Sequence, residues 1–234
     1  MIDIGVAPYT EHRYPALRQS IMLFDINPGT RQLTLEPGRY RVAVVGAGAG
    51  FIKGGGGGGY DEVDITVPTE TVYAYTVGES AAAIGGTSSF AGILSATGGQ
   101  NSLGGQGLSS FGKKGGAGYA AFAAGEYSNG GAAGHAFGNG ASATRSVSTV
   151  MAAGPGFSEP NRGGYPGGAL VDGWKVGLLP TEYGYGAVTG SYNTYQRAGM
   201  GGGGVGGADA GVGGGSGDTL VRGGHGAVIV ERIG

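Results

Sequence analysis

Several stretches of the chain place apolar residues on a strand period. Arg39 to Val45 builds into an aliphatic strand, and Asp61 to Val67 alternates polar and apolar positions. Thr71 to Val77 alternates again, with Val72, Ala74 and Thr76 opposite Tyr73, Tyr75 and Val77. Ser88 to Thr97 reads as one further strand, bounded by Gly85-Gly86 and Gly98-Gly99. The last is Gly226 to Ile233, where Ala227-Val228-Ile229-Val230 is rich in β-branched residues. Pro68 and its neighbours supply a turn between the second and third stretches. Helix signals are weak, and residues 81–84 are too short to nucleate a helix alone. A strand that opens the glycine-rich region and one that closes it predict a sheet in which the two ends of that region meet. The glycine segments then loop out between them.

Composition changes this picture sharply. The chain holds 58 glycines in 234 residues, including a run of six at Gly54 to Gly59 and one of four at Gly201 to Gly204. An ordered glycine costs about 0.5–1 kcal/mol more than alanine in backbone entropy, so the scaffold needs a compensating source of order. The glycines are interleaved with Ala, Val, Phe and Tyr rather than with the polar residues of linkers, which argues against disorder. Glycine can adopt an extended left-handed helix of three residues per turn whose N–H and C=O groups point outward, and such helices must bond to one another. A three-residue register is partly visible. Positions 115, 118, 121, 124, 130, 133 and 136 are Gly or Ala, Tyr119 and Phe122 occupy another row, and Tyr127 breaks the small row. With only nine prolines and no sustained Gly-X-Y period, collagen is excluded. The expected fold is mostly β or irregular, with little α-helix. It is a small β-sheet base joined to a packed array of polyglycine-II-type helices, a glycine-rich sandwich.

A formal net charge of −2, from 14 basic and 16 acidic residues, argues against a nucleic-acid partner, which calls for a basic stripe. There is no cysteine, hence no disulfide framework and no thiolate metal site. No stretch reads as a secretory signal or a membrane span, so synthesis in a cytoplasm is expected.

Motifs for chemistry fail on spacing. Val45-Gly46-Ala47-Gly48-Ala49-Gly50-Phe51 follows a strand, but the third glycine of a dinucleotide fingerprint would fall at Phe51. Gly107 to Lys114 approaches a phosphate loop, yet Lys114 stands where Ser or Thr should bind magnesium. His12, His135 and His225 have no ligand or triad partner at recognisable spacing. Asp61, Glu62 and Asp64 read as a solvated strand face rather than a calcium site. No enzyme, cofactor or metal is expected.

Two regions depart from the glycine pattern. Residues 1–36 carry Pro8, Pro15, several arginines and the apolar run Ile21-Met22-Leu23-Phe24, and read as a separate attachment segment using Tyr9, Tyr14, Ile21, Leu23 and Phe24. Residues 37–234 form the glycine-rich domain, with a variable loop insertion near 145–200. That insertion holds the single tryptophan, Trp174, with Tyr165, Tyr183, Tyr185, Tyr192 and Tyr195. Amphipathic aromatics suit a contact surface, because they give large area for little lost rotamer entropy. They would serve equally as walls of the glycine body.

From Gly38 to Ile233 the layout resembles the glycine-rich domain of bacteriophage tail-tip adhesins, including those capping T-even-type long tail fibres. The likeness rests on Val42-Ala43-Val44-Val45-Gly46-Ala47-Gly48, the six glycines before Tyr60, Tyr75-Thr76-Val77-Gly78 and Gly86-Thr87-Ser88-Ser89-Phe90. It continues through Ala96-Thr97-Gly98-Gly99 and Gly224-His225-Gly226-Ala227-Val228-Ile229-Val230-Glu231. The resemblance implies a sandwich of polyglycine helices at the virion tail tip, host-receptor binding by loops, and a tail-fibre or baseplate partner. The receptor would be a protein or a polysaccharide, and the assembly a single copy or a homotrimer. Those relatives carry a substantial N-terminal attachment domain, whereas about 36 residues precede the glycine domain here, so a short peg is expected. The alternative is a non-adhesive structural virion or surface component using the glycine body as a rigid spacer.

Overall fold

The computed structural model describes residues 21–51, 53–119, 128, 130–136, 138–140, 142–143, 150–151, 188–189, 210, 212–217 and 223–234. Among them there is no helix. The strands are β1 (Ile21–Asp25), β2 (Gly29–Leu35), β3 (Gly38–Val45), β4 (Tyr60–Val67), β5 (Thr71–Val77), β6 (Ser88–Phe90), β7 (Leu94–Ala96), β8 (Val150–Met151), β9 (Val188–Thr189) and β10 (Ala227–Arg232). One antiparallel sheet has the order β1-β10-β3-β4, a second β2-β5-β6-β7, and β8 pairs with β9 alone. The expected meeting of the first and last strands of the glycine region is β3 against β10, from Ala227↔Val45 to Arg232↔Tyr40.

The two larger sheets face each other over a core of Leu35, Tyr40, Val42, Val44, Val67, Tyr75, Val77, Phe90, Leu94, Ala96, Val228 and Val230. Full burial of each Val, Leu or Phe contributes about 1.5–3 kcal/mol. The β3 and β10 residues between these, Ala43, Val45, Ala227 and Ile229, pack on the opposite face with Tyr60 and Ala133, flanked by Ala136 and Val212. Both faces of these central strands are therefore covered. This is why Val42 to Val45 and Ala227 to Val230 are continuous apolar runs rather than alternating ones.

Two strand readings differ from the sequence. The stretch read as one strand at 88–97 is two, because Ala91 (φ 51°) and Gly92 (φ 68°) turn the chain back and Ile93 N–H bonds Phe90 C=O at 2.9 Å. Glycine inside a strand pattern was the signal for that turn. β2 was not anticipated, because its outward residues Thr30, Gln32 and Thr34 dilute the apolar signal, yet it pairs along its length with β5. Residues 21–35 give one strand to each sheet and bury Leu35 in the core.

Beyond the sheets, the strands run on into glycine segments whose hydrogen-bond partners recur every third residue. In the six-glycine run, Gly55 and Gly58 donate to Ser216 and Gly213, Gly56 and Gly59 to Asn101 and Thr97, and Gly57 and Tyr60 to Gly116 and Lys113. The same run accepts at Gly56 and Gly59 from Ala49 and Gly46, at Gly55 and Gly58 from Gly131 and Gly134, and at Gly57 from Gly105. It is thus surrounded on all sides by backbone. A Cβ on Gly57 would stand 2.0 Å from the Ala132 carbonyl oxygen, and one on Gly56 1.9 Å from that of Leu103, so side chains cannot enter.

Candidate functional site

The molecule has two ends of different character. β1 enters the sheet with Ile21 opposite Glu231, and the Gly234 carbonyl accepts from Arg39 N–H at 2.8 Å. Both points lie at the edge of the sandwich away from the glycine segments, together with the β2–β3 and β4–β5 turns at 36–37 and 68–70. At the opposite end of the described residues the glycine segments turn back through 81–84 and 100–103, which are linked to one another by Asn101 N–H to Ala83 C=O and to the segment 46–50 by Gly50 N–H to Ala81 C=O. Ile84 and Leu103 are exposed there, at 60% and 65%.

Of the residues expected to attach the chain, Ile21, Leu23 and Phe24 are partly buried in β1. Leu23 packs on the core between the sheets, while Ile21 and Phe24 pack on the other side of theirs. A register shift between Ile21 and Leu23 supplies the extra residue that turns Ile21 to the face of Phe24. Tyr9 and Tyr14 lie outside the described residues. So do the expected contact residues Tyr165, Trp174, Tyr183, Tyr185, Tyr192 and Tyr195. The pairing of Val150 with Thr189 and Met151 with Val188 brings together the chain on either side of residues 152–187.

A protruding hairpin at 107–113 was missed by sequence reasoning. Gly107 N–H bonds Lys113 C=O, and Lys113 exchanges both backbone bonds with Tyr60, so the near phosphate loop is a strand-like turn. Its anchor is Asp61, read from sequence as solvated and in fact 0% exposed. The Asp61 carboxylate accepts from Ser109 N–H at 2.7 Å, Ser109 Oγ–H at 2.5 Å and Glu62 N–H at 3.0 Å. Ser109 Oγ in turn accepts from Phe111 N–H at 3.1 Å. With the turn fixed, Leu108 and Phe111 project into solvent at 61% and 71% exposure. The available signal was an apolar pair held between Gly107 and Gly112.

The other two acidic residues of β4, Glu62 and Asp64, bond to side chains of the same sheet. Glu62 accepts from the Tyr60 hydroxyl at 2.7 Å, and burial, with that carboxylate beside it, pushes the Tyr60 phenol well up. Asp64 receives two bonds from the Arg41 guanidinium across the β3–β4 pair. His135 is buried, which pushes its pKa down. His225 Nδ1 accepts from Ser80 N–H at 3.0 Å. Among the described residues no three His, Cys, Asp or Glu side chains are grouped to hold a metal ion. No protein-family model matches the chain, and neither does any curated protein or solved structure.

Proposed function

We propose that the chain is a receptor-binding protein of a bacteriophage tail. The sandwich end carrying Ile21 and Gly234 faces a tail fibre or baseplate, and the glycine body holds contact loops towards the host surface. The observation that carries this reading is the polarity of the molecule. Among the described residues, Ile21 and Gly234 lie at one end, while the turns bearing exposed Ile84 and Leu103 lie at the other. The aromatic stretch around 157–200 supplies further contacts.

Within this reading the glycine body is a bundle of polyglycine-II helices. Supporting it are the recurrence of hydrogen-bond partners at every third residue, a property of three-residue turns, and the exclusion of side chains from between neighbouring segments. The positive-φ glycines Gly54 and Gly213 stand at segment ends. A crystal structure in which residues 46–50 and 55–59 depart from φ about −75° and ψ about +145° would remove this part of the reading.

Function is tested by adding purified chain to host cells. Direct binding, competition with adsorption of the parent phage, and loss of both when Tyr183, Tyr185, Tyr192 and Tyr195 are replaced together by alanine in a folded protein are the expected results. A folded wild-type chain that binds no host cell yet incorporates into tails would leave the spacer reading in its place.

A further inference from the structure

We infer that Asn139 is a self-modification site, set to convert to aspartate and isoaspartate through its peptide bond to Gly140, and that the backbone of Lys114 holds the reaction off. The sequence places a glycine, with no Cβ to shield its nitrogen, directly after an exposed asparagine. Both reacting groups face the same residue. Asn139 Oδ1 accepts from Lys114 N–H at 2.9 Å, and Gly140 N–H donates to Lys114 C=O at 2.8 Å. The arrangement repeats three residues on, where Ser142 Oγ accepts from Ala117 N–H at 3.0 Å and Ala143 N–H donates to Ala117 C=O at 2.8 Å. Asn139, Gly140, Ser142 and Ala143 thus form a strap along 114–117, in which side-chain oxygens stand in for backbone carbonyls. The start of the strap is fixed twice. His135 and Gly138 exchange backbone bonds at 3.0 and 3.1 Å just before it, and a Cβ on Gly140 would stand 2.2 Å from the Ala132 carbonyl oxygen.

The reaction consumes only water. The Gly140 nitrogen gives its proton to hydroxide and bonds to Asn139 Cγ, the Cγ–Nδ2 bond breaks, and Nδ2 leaves as ammonia with a proton from water, which returns the hydroxide. Water then opens the five-membered imide at one of its two C–N bonds. Opening at Cγ gives aspartate, and opening at the main-chain carbonyl gives isoaspartate. In the docked strap the Gly140 proton is held by a carbonyl, which is no base, and the Asn139 carboxamide is oriented by Lys114 N–H. Hydroxide reaches that proton, and the side chain turns onto the nitrogen, only when these two bonds open. Isoaspartate adds one methylene to the main chain, so that its side-chain oxygen and the Gly140 N–H no longer span the N–H and C=O of Lys114 together. Conversion therefore undoes this repeat of the strap for good.

The test is incubation of the full chain in mildly alkaline buffer, folded and in urea. Isoaspartate is read by labelling with isoaspartate methyltransferase and by peptide mass mapping, which separates Asn139 from the other Asn-Gly pair, Asn129-Gly130. Asn139 should convert readily in urea and at least about tenfold more slowly in the folded chain, in proportion to the population of the open strap. Ser142→Ala removes one strap bond at an exposed position. It should speed folded-state conversion by about twofold to tenfold, the loss of one hydrogen bond, and leave the rate in urea unchanged. Gly92→Ala lowers global stability at the β6–β7 turn and should leave the folded-state rate unchanged. Absence of conversion in urea overturns the modification site. Equal rates folded and in urea, a folded-state rate unmoved by Ser142→Ala, or equal acceleration by Gly92→Ala and Ser142→Ala overturns the hold by the strap.

Discussion

The Tyr75 hydroxyl donates to the Asp25 carboxylate at 2.9 Å, and through this buried bond β5 of one sheet holds β1 of the other. Asp25 also accepts from Asn27 N–H at 2.9 Å, Asn27 Nδ2 at 3.1 Å and Arg31 Nη1 at 3.0 Å. Four donors on one carboxylate fix the β1–β2 corner. Replacing Tyr75 by Phe leaves the buried carboxylate one donor short, and should cost about 1–3 kcal/mol in a urea titration.

The same corner predicts an acid limb of stability. Burial pushes the Asp25 carboxyl up, but the Asn27 backbone, the Tyr75 hydroxyl, the Asn27 side chain and the Arg31 charge outweigh it, and the net direction is down. A folded-state value below the unfolded one means that the contribution is present above the ordinary carboxylate pKa, about 3.9. It is lost as pH falls through the lowered folded value. Wild type should therefore lose stability on acidification more steeply than Asp25→Asn, measured by denaturant midpoints. Parallel acid limbs in the two proteins would show that Asp25 is not the group responsible.

Two glycines separate steric exclusion from backbone conformation. At Gly92 (φ +68°) an added Cβ meets nothing within 4 Å, so Gly92→Ala carries only the left-handed backbone penalty, about 1–2 kcal/mol. At Gly57 the Cβ would meet the Ala132 carbonyl oxygen at 2.0 Å from a neighbouring segment that cannot move alone. Gly57→Ala should cost more than about 4 kcal/mol or prevent folding, read by thermal melting. Equal melting temperatures for the two variants would refute the enclosure of the six-glycine run.

Asp61→Ala removes the acceptor shared by Ser109 N–H, Ser109 Oγ–H and Glu62 N–H. The hairpin at 107–113 should open locally, and chymotrypsin should cut after exposed Phe111 at least about tenfold faster, following the free energy of local opening. Cleavage at the wild-type rate would mean that the backbone pairing of Lys113 with Tyr60 holds the turn unaided.

The Arg41–Asp64 pair has good two-bond geometry, but its side chains are 37% and 41% exposed. Solvent screening limits its worth. A double-mutant cycle to alanine should return a coupling of about 0.2–1 kcal/mol that shrinks with added salt.

The alternations at 61–67 and 71–77 were legible as strands from their period of two, and the run at 226–233 from its β-branched residues. The meeting of β3 with β10 also followed from the order of segments along the chain. The expected contact residues at 165–195 were read from composition and lie outside the described residues. An aromatic-rich stretch interrupts the glycines, whereas the exposed pairs Ile84 with Leu103 and Leu108 with Phe111 carry no periodic signal.

The sequence by itself determined that 39–45, 61–67, 71–77 and 226–233 extend, that the glycine runs carry no side chains, and that no disulfide stabilises the chain. Apart from the pairing of β3 with β10, tertiary structure decided the partners. β4 and β5 are consecutive yet belong to different sheets, Ser88 to Thr97 folds back at Ala91-Gly92, and Asp61 turns inward to hold Ser109. The physical reason is that alternation records which way a side chain faces and not which strand lies beside it. A glycine has no side chain to record even that, so its neighbours are chosen wholly by backbone hydrogen bonds made across long distances in sequence.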